Sequence, residues 1–124
     1  MANPASSQPD ESGLVILKLC GKDWPARISI RAAMIAEKLL DVPLHRILER
    51  IITSQEFFLE QMATVFREAM IAAGGKDVPD VETVAESIVD IGQPKFAPVY
   101  MQMLLGALKG RRKTDEGEAT ASKT

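Results

Sequence analysis

Few side chains of this sequence have the types and spacings that catalysis or metal binding requires. The one histidine, His45, precedes Glu49 by four residues, a spacing that brings two side chains together on a helix. A His–Glu pair can form half of an acid–base or metal site. No second histidine completes a zinc ligand set, and Cys20 falls in a different predicted element. We therefore interpret His45 and Glu49 as a surface pair.

Three carboxylates recur at every fourth position, Glu82, Glu86 and Asp90. Carboxylates in such a row can bind a hard cation or share a proton. All three fall on one face of a predicted helix, opposite its apolar face, which is typical of a solvated surface. Cys20 lies in a predicted loop without an identifiable activating base, so we interpret it as an ordinary thiol. The sequence therefore predicts no catalytic residue, no cofactor site and no metal site.

The composition narrows the class of protein further. The chain has 124 residues, of which 46% are apolar and 26% charged, as in an ordinary globular domain. A formal net charge of −2 disfavours nucleic-acid binding, and the Arg111-Arg112-Lys113 cluster is followed by acidic residues, as in a solubilising tail. A single cysteine favours a reducing compartment. The first dozen residues do not resemble a signal peptide, and no apolar run is long enough to span a membrane, so we expect a cytoplasmic protein.

The pattern of apolar residues predicts a single α+β domain over residues 13–110, between a disordered arm at 1–12 and a disordered tail at 111–124. A β-hairpin is expected first, with strands at 14–19 and 24–30 around Gly21, and Pro25 marks the second as an edge strand. An isolated hairpin is marginally stable in water, so its apolar face must pack on the helices that follow. Four to five short helices account for the rest of the domain.

Each helix is predicted from periodicity and end signals. The first covers 31–40 and the second begins at Pro43, with an apolar side formed by Leu44, Ile47, Leu48 and Ile51. The third is expected to begin at the capping-box pattern Thr53-Ser54-Gln55-Glu56 and to end at Ala73-Gly74-Gly75. The fourth begins at Asp80 and ends near Gly92, and the last follows Pro98 and reaches Leu108.

Two kinds of residue on these helices are candidates for contact with a partner protein. Phe57 projects from the polar side of the predicted third helix, where it either packs under a neighbouring loop or offers an aromatic contact. Methionine is common on surfaces that accommodate varied partners, and it is also a frequent core residue. The residues predicted to bind a partner are Phe57, Met62, Met70, Met101 and Met103.

The order of these elements, together with three local strings, resembles the gene transfer agent family of small proteins from phage-like tail gene clusters. The first string is the hairpin from Val15 to Trp24, ending in Ile28-Ser29-Ile30. The second is Ile35-Ala36-Glu37 followed by Val42-Pro43-Leu44. The third is Ala69-Met70-Ile71-Ala72-Ala73-Gly74, followed by spaced apolar residues up to Gly92. The family commonly has a glycine between its first two helices, where this chain has Leu40-Asp41.

The resemblance implies a non-enzymatic protein that takes part in building a phage-like tail. The family is similar in organisation to phage tail assembly chaperones, which implies that the partner is the tape-measure protein, covered on its apolar segments until the tail tube polymerises, or another tail protein. A structural subunit of the tail tube or connector, which would form homo-oligomeric rings, is the alternative. A helical regulatory adaptor is a third interpretation, disfavoured because the predicted third helix is acidic, with Glu56, Glu60 and Glu68 outward.

Overall fold

A two-stranded antiparallel hairpin precedes five helices in the computed structural model, which describes residues 13–109. The strands are β1 (Val15–Leu19) and β2 (Lys22–Ala26). The helices are α1 (Ile30–Leu40), α2 (Leu44–Ser54), α3 (Leu59–Ala72), α4 (Val81–Ile91) and α5 (Gln93–Lys109). The predicted α+β class is confirmed. The predicted disordered arm and tail, with the Arg111-Arg112-Lys113 cluster, lie outside the described residues.

The hairpin turns over two residues and buries one face. Cys20 and Gly21 both have positive φ (52° and 76°), the combination that a two-residue turn with the natural strand twist requires. Leu17 lies opposite Trp24 in the register, and both are buried. The second strand is shorter than predicted, because the chain leaves the sheet after Ala26 and Ile30 already begins α1. Ser29 is the N-cap of α1, and its hydroxyl accepts a hydrogen bond from the Ala32 N–H.

A tight link joins α1 to α2 without a glycine. Asp41 adopts the left-handed conformation (φ 58°), and its N–H donates to the Glu37 carbonyl. The Glu37 side chain then reaches forward, and its Oε2 accepts from the Leu44 N–H at 2.8 Å. This carboxylate caps α2 in place of Pro43, which offers no side-chain cap. The apolar side predicted for α2 is confirmed, because its four residues are all buried.

The predicted start of the third helix is wrong. Thr53 and Ser54 are the last residues of α2, and the Thr53 hydroxyl donates to the Glu49 carbonyl rather than capping a new helix. Gln55 ends α2 in the left-handed conformation (φ 55°), and α3 begins only at Leu59. Phe57 therefore belongs to the link between the two helices, not to the polar side of α3.

Helix α3 is the centre of the fold. It packs against α1, α4, α5 and β2, so neighbours cover it on more than the one apolar face that the sequence predicted. Glu68, which was predicted to face outward, is buried, and so is Thr64. Glu68 lies beside Arg67 (3.5 Å), whose Nε also donates to the Pro79 carbonyl at 2.8 Å. Arg67 thus fastens α3 to the loop before α4.

The last helix begins six residues earlier than predicted. Pro98 lies inside α5, which starts at Gln93, directly after Gly92 ends α4. Pro98 removes one hydrogen bond, the one that would otherwise reach the Pro94 carbonyl in the first turn. Burial of Phe96 and Tyr100 on either side of it offsets this loss.

Gln55→Gly should stabilise the protein by about 0.5–1 kcal/mol. The left-handed conformation costs a residue with a Cβ roughly 1–2 kcal/mol, a cost that glycine avoids. Glycine also makes the unfolded chain more flexible, and this offsets part of the stabilisation. The exposed Gln55 side chain contributes no hydrogen bond within the described residues. Urea unfolding measures the change. Arg50→Gly, at an exposed position within α2, is the control and should lose about 1 kcal/mol. Equal losses in the two variants would show that Gln55 is not left-handed.

Candidate protein-binding surface

The structure does not bring the candidate chemical groups together. His45 and Glu49 are exposed, and the Glu49 carboxylate pairs with Arg46 (Nε to Oε1, 3.3 Å). Glu82, Glu86 and Asp90 are exposed along α4. Within residues 13–109, no three His, Cys, Asp or Glu side chains are placed to hold a metal ion.

Cys20 contacts α4 through both its backbone and its thiol. Its N–H donates to the Ser87 hydroxyl at 2.8 Å, which joins the hairpin turn to α4, and its Sγ lies 3.9 Å from the Thr83 carbonyl oxygen. Burial raises the pKa of the Cys20 thiol, although the Ser87 hydrogen bond acts in the opposite direction. A raised pKa leaves less thiolate at neutral pH, which is the reverse of what a nucleophile needs.

A shallow groove of about 260 Å³ lies between the hairpin and the end of α4. Its charged side chains are already engaged, since Lys18 pairs with Asp23 (3.7 Å) and the Lys22 ammonium lies 4.5 Å from the centre of the Trp24 ring. The charged groups of the groove are therefore not free to bind a ligand.

The five residues predicted to bind a partner occupy different environments. Met62, Met70 and Met103 are buried, and Met101 is half-buried against the core. Phe57 is half-buried, with its ring 6.5 Å from that of Tyr100 and its carbonyl accepting from Gln93 Nε2 at 3.2 Å. A partner would reach the three buried methionines only if the helices separated. Their role in binding stays a prediction, but in this fold they do not form a surface.

An aromatic cluster lies behind Phe57. The Phe66 ring lies 5.7 Å from those of both Phe96 and Tyr100, edge-on to the latter. The Tyr100 hydroxyl is buried without a hydrogen-bond partner in the described part of the chain, and burial raises its pKa well above the ordinary range.

Tyr100→Phe should make the protein more stable, by about 1 kcal/mol, because it removes an unpaired buried hydroxyl and keeps the ring. The gain should grow above pH 10. The folded state holds the phenol neutral while the unfolded chain ionises near its ordinary pKa of about 10, so wild-type stability is lost as the pH rises beyond that value. Cys20 is present in both proteins, so the difference between their urea stabilities at pH 7 and above pH 10 isolates Tyr100. A loss of stability at both pH values would show that the hydroxyl is hydrogen-bonded.

The most apolar exposed surface is the outward side of α1. Ile30, Met34 and Leu39 are 73%, 63% and 60% exposed, and among the large apolar side chains of the described residues only Ile52, on α2, matches Leu39. The inward side of the same helix buries only Ala32 and Ala36. At 100° per residue, Ile30, Met34, Ile35 and Leu39 share the arc that faces away from the core, and we call these four residues with Arg31 and Lys38 the α1 face.

The charges on the α1 face are all positive. Arg31 and Lys38 are exposed between the apolar side chains, and neither takes part in an ion pair within the described residues. The only carboxylate of α1 belongs to Glu37, which is half-buried and caps α2. This arrangement contrasts with the net negative charge of the chain.

The sequence analysis missed the α1 face because it placed Ile30 in the second strand and did not determine which side of the first helix is covered. The available signal was the composition of the helix, since only Arg31, Glu37 and Lys38 of its eleven residues are charged. A helix that is apolar on nearly all sides is normally covered on all sides. One side of α1 is covered by α3, and the other is exposed.

Comparison with models of known protein families gave no match, and searches of curated proteins and of solved structures gave none either. The resemblance to the gene transfer agent family therefore rests on the order of elements and the local strings alone. None of the helices within residues 13–109 combines the length and apolarity needed to cross a membrane.

Proposed function

We propose that this protein is a non-enzymatic assembly factor of a phage-like tail, acting in the bacterial cytoplasm as a chaperone for apolar helical segments of the tape-measure protein. The observation that carries the proposal is the α1 face, where three large apolar side chains are more than half exposed on one helix. Exposed apolar surface of this kind marks sites of protein–protein contact. The resemblance to tail assembly proteins supplies the identity of the partner.

The shape of the surface suits transient binding. A single exposed helix side accepts an amphipathic helix by side-to-side packing, as in helix-in-groove recognition. The flexible side chains of Met34 and Lys38 can adapt to successive segments of different sequence. Few anchoring residues and a small contact area favour weak binding, which polymerising tube subunits could displace.

Co-expression with the tape-measure protein of the same gene cluster tests the proposal. We expect the two proteins to co-purify, and we expect Met34→Gln with Leu39→Gln to abolish this while the protein stays folded. The matched control is Ile52→Gln with Val89→Gln, which removes two exposed apolar side chains, 60% and 56% exposed, from α2 and α4. An equal loss of co-purification in both double variants would show that the α1 face is not the binding site. Absence of binding by the wild type, together with its presence in purified particles, would favour a structural subunit instead.

A further inference from the structure

The positive charge of the α1 face indicates the charge of the partner that would bind there. We propose that it selects amphipathic helices whose apolar stripe is flanked by Asp and Glu, and that Arg31 and Lys38 make this selection. The inference rests on the proposed function, because it describes the segments that the same surface would bind.

The two cations of the α1 face lie on the same side of the helix. Arg31 and Lys38 are seven residues apart, which places them two turns and about 10 Å apart along one side of α1. Met34 lies between them along the helix. An acidic residue recurring every seven positions beside an apolar stripe would meet both cations while the stripe covers Met34.

No carboxylate of the described residues competes with a partner for the two cations. Arg31 and Lys38 have no carboxylate partner in the described part of the chain, and Glu37 is turned towards the Leu44 N–H. A partner carboxylate would therefore not have to displace an existing ion pair. Charges beside a helical contact select a partner mainly because a partner that carries like charges at the same positions is repelled.

The remaining sequence of the chain is a poor occupant for this surface. Residues 1–12 contain one large apolar side chain, Met1, and residues 110–124 contain none, although Asp115, Glu116 and Glu118 are acidic. Neither segment has an apolar stripe that could cover Ile30 and Met34. Helix α4 has three outward acidic residues, but its exposed large apolar residues are Val89 beside them and Ile91 on another side of its last turn, which do not form a stripe. A separate protein with both properties fits better than a second copy.

Two synthetic peptides of roughly 18 residues, long enough for five helical turns, test the charge selection directly. Both carry the same Leu and Ala stripe, flanked by Glu in one and by Lys in the other. We expect the full-length protein to bind the Glu peptide at least about tenfold more tightly at low salt, and we expect this ratio to shrink from about 50 mM to about 500 mM NaCl as the charges are screened.

Charge reversal supplies the matched variants. Arg31→Glu with Lys38→Glu should invert the preference, so that the Lys peptide binds more tightly. Arg50→Glu with Lys95→Glu makes the same change in net charge at exposed positions on α2 and α5, and it should leave the preference unchanged. Circular dichroism and a thermal melt confirm that each double variant is folded.

The outcomes separate the two proposals. Equal binding of the two peptides by the wild type, or an unchanged preference after reversal of Arg31 and Lys38, overturns the charge selection. The proposed function stands in that case if Met34→Gln with Leu39→Gln still abolishes co-purification with the tape-measure protein. If neither peptide binds while light scattering shows a dimer that the Arg31 and Lys38 reversal dissociates, the occupant is a second copy and this inference is wrong.

Discussion

Phe66→Ala is expected to lower the free energy of unfolding by about 3–5 kcal/mol, the range for removing a fully buried aromatic side chain. Phe66 lies on the central helix and contacts α5 through both Phe96 and Tyr100. Each ring pair contributes about 0.5–1.5 kcal/mol beyond the area that it buries. A domain of this size has a total stability of about 5–15 kcal/mol, so this one change removes a large part of it.

Urea unfolding and a thermal melt measure this loss. We expect the melting temperature to fall by at least about 12 °C, since each kcal/mol corresponds to about 4 °C or more in a domain of this length. Phe58→Ala is the matched control, because Phe58 is 46% exposed and should change stability by only about 0.5 kcal/mol. A small effect of Phe66→Ala would mean that α5 does not pack on α3 through the aromatic cluster.

Met62→Ala should destabilise the protein by about 2–5 kcal/mol, because the Met62 side chain is fully buried and its removal leaves a cavity in the core. Met34→Ala should change stability by about 0.5 kcal/mol or less, since Met34 is exposed and alanine is a strong helix former. The same urea experiment compares the two. Equal effects would contradict the assignment of Met62 to the core and Met34 to the surface.

Met62→Leu separates folding from binding at this position. The substitution conserves volume and should cost less than about 1.5 kcal/mol, so the protein remains folded. If Met62 acts only in the core, the variant binds the tape-measure protein as the wild type does. A lost complex with an unchanged fold would instead support the prediction that Met62 contacts the partner.

The parts of the fold that the sequence predicted well are those where one local pattern decides the outcome. Leu44, Ile47, Leu48 and Ile51 have a simple helical period, and α2 buries all four. The hairpin was predicted from Gly21 and its flanking apolar residues, and the turn lies at Cys20-Gly21. In both cases backbone geometry and hydrophobic pattern agree.

The errors arose where two patterns compete and tertiary contacts decide between them. The capping-box pattern at Thr53 loses to the continuation of α2, because the Thr53 hydroxyl finds the Glu49 carbonyl. The candidate surface could not be found by periodicity, because Ile30, Met34 and Leu39 look like core residues until the neighbours of α1 are known. Burial of Glu68 was missed for the converse reason, since neighbouring elements cover more of α3 than its apolar side.

Hydrogen–deuterium exchange of the protein, with and without the tape-measure protein, tests whether the outward side of α1 is the binding surface. Binding there predicts slower exchange of backbone amides in α1, which loses access to solvent and opens less often, and unchanged exchange in α4. Unchanged exchange in α1, with new protection confined to another element of a complex that does form, would contradict it.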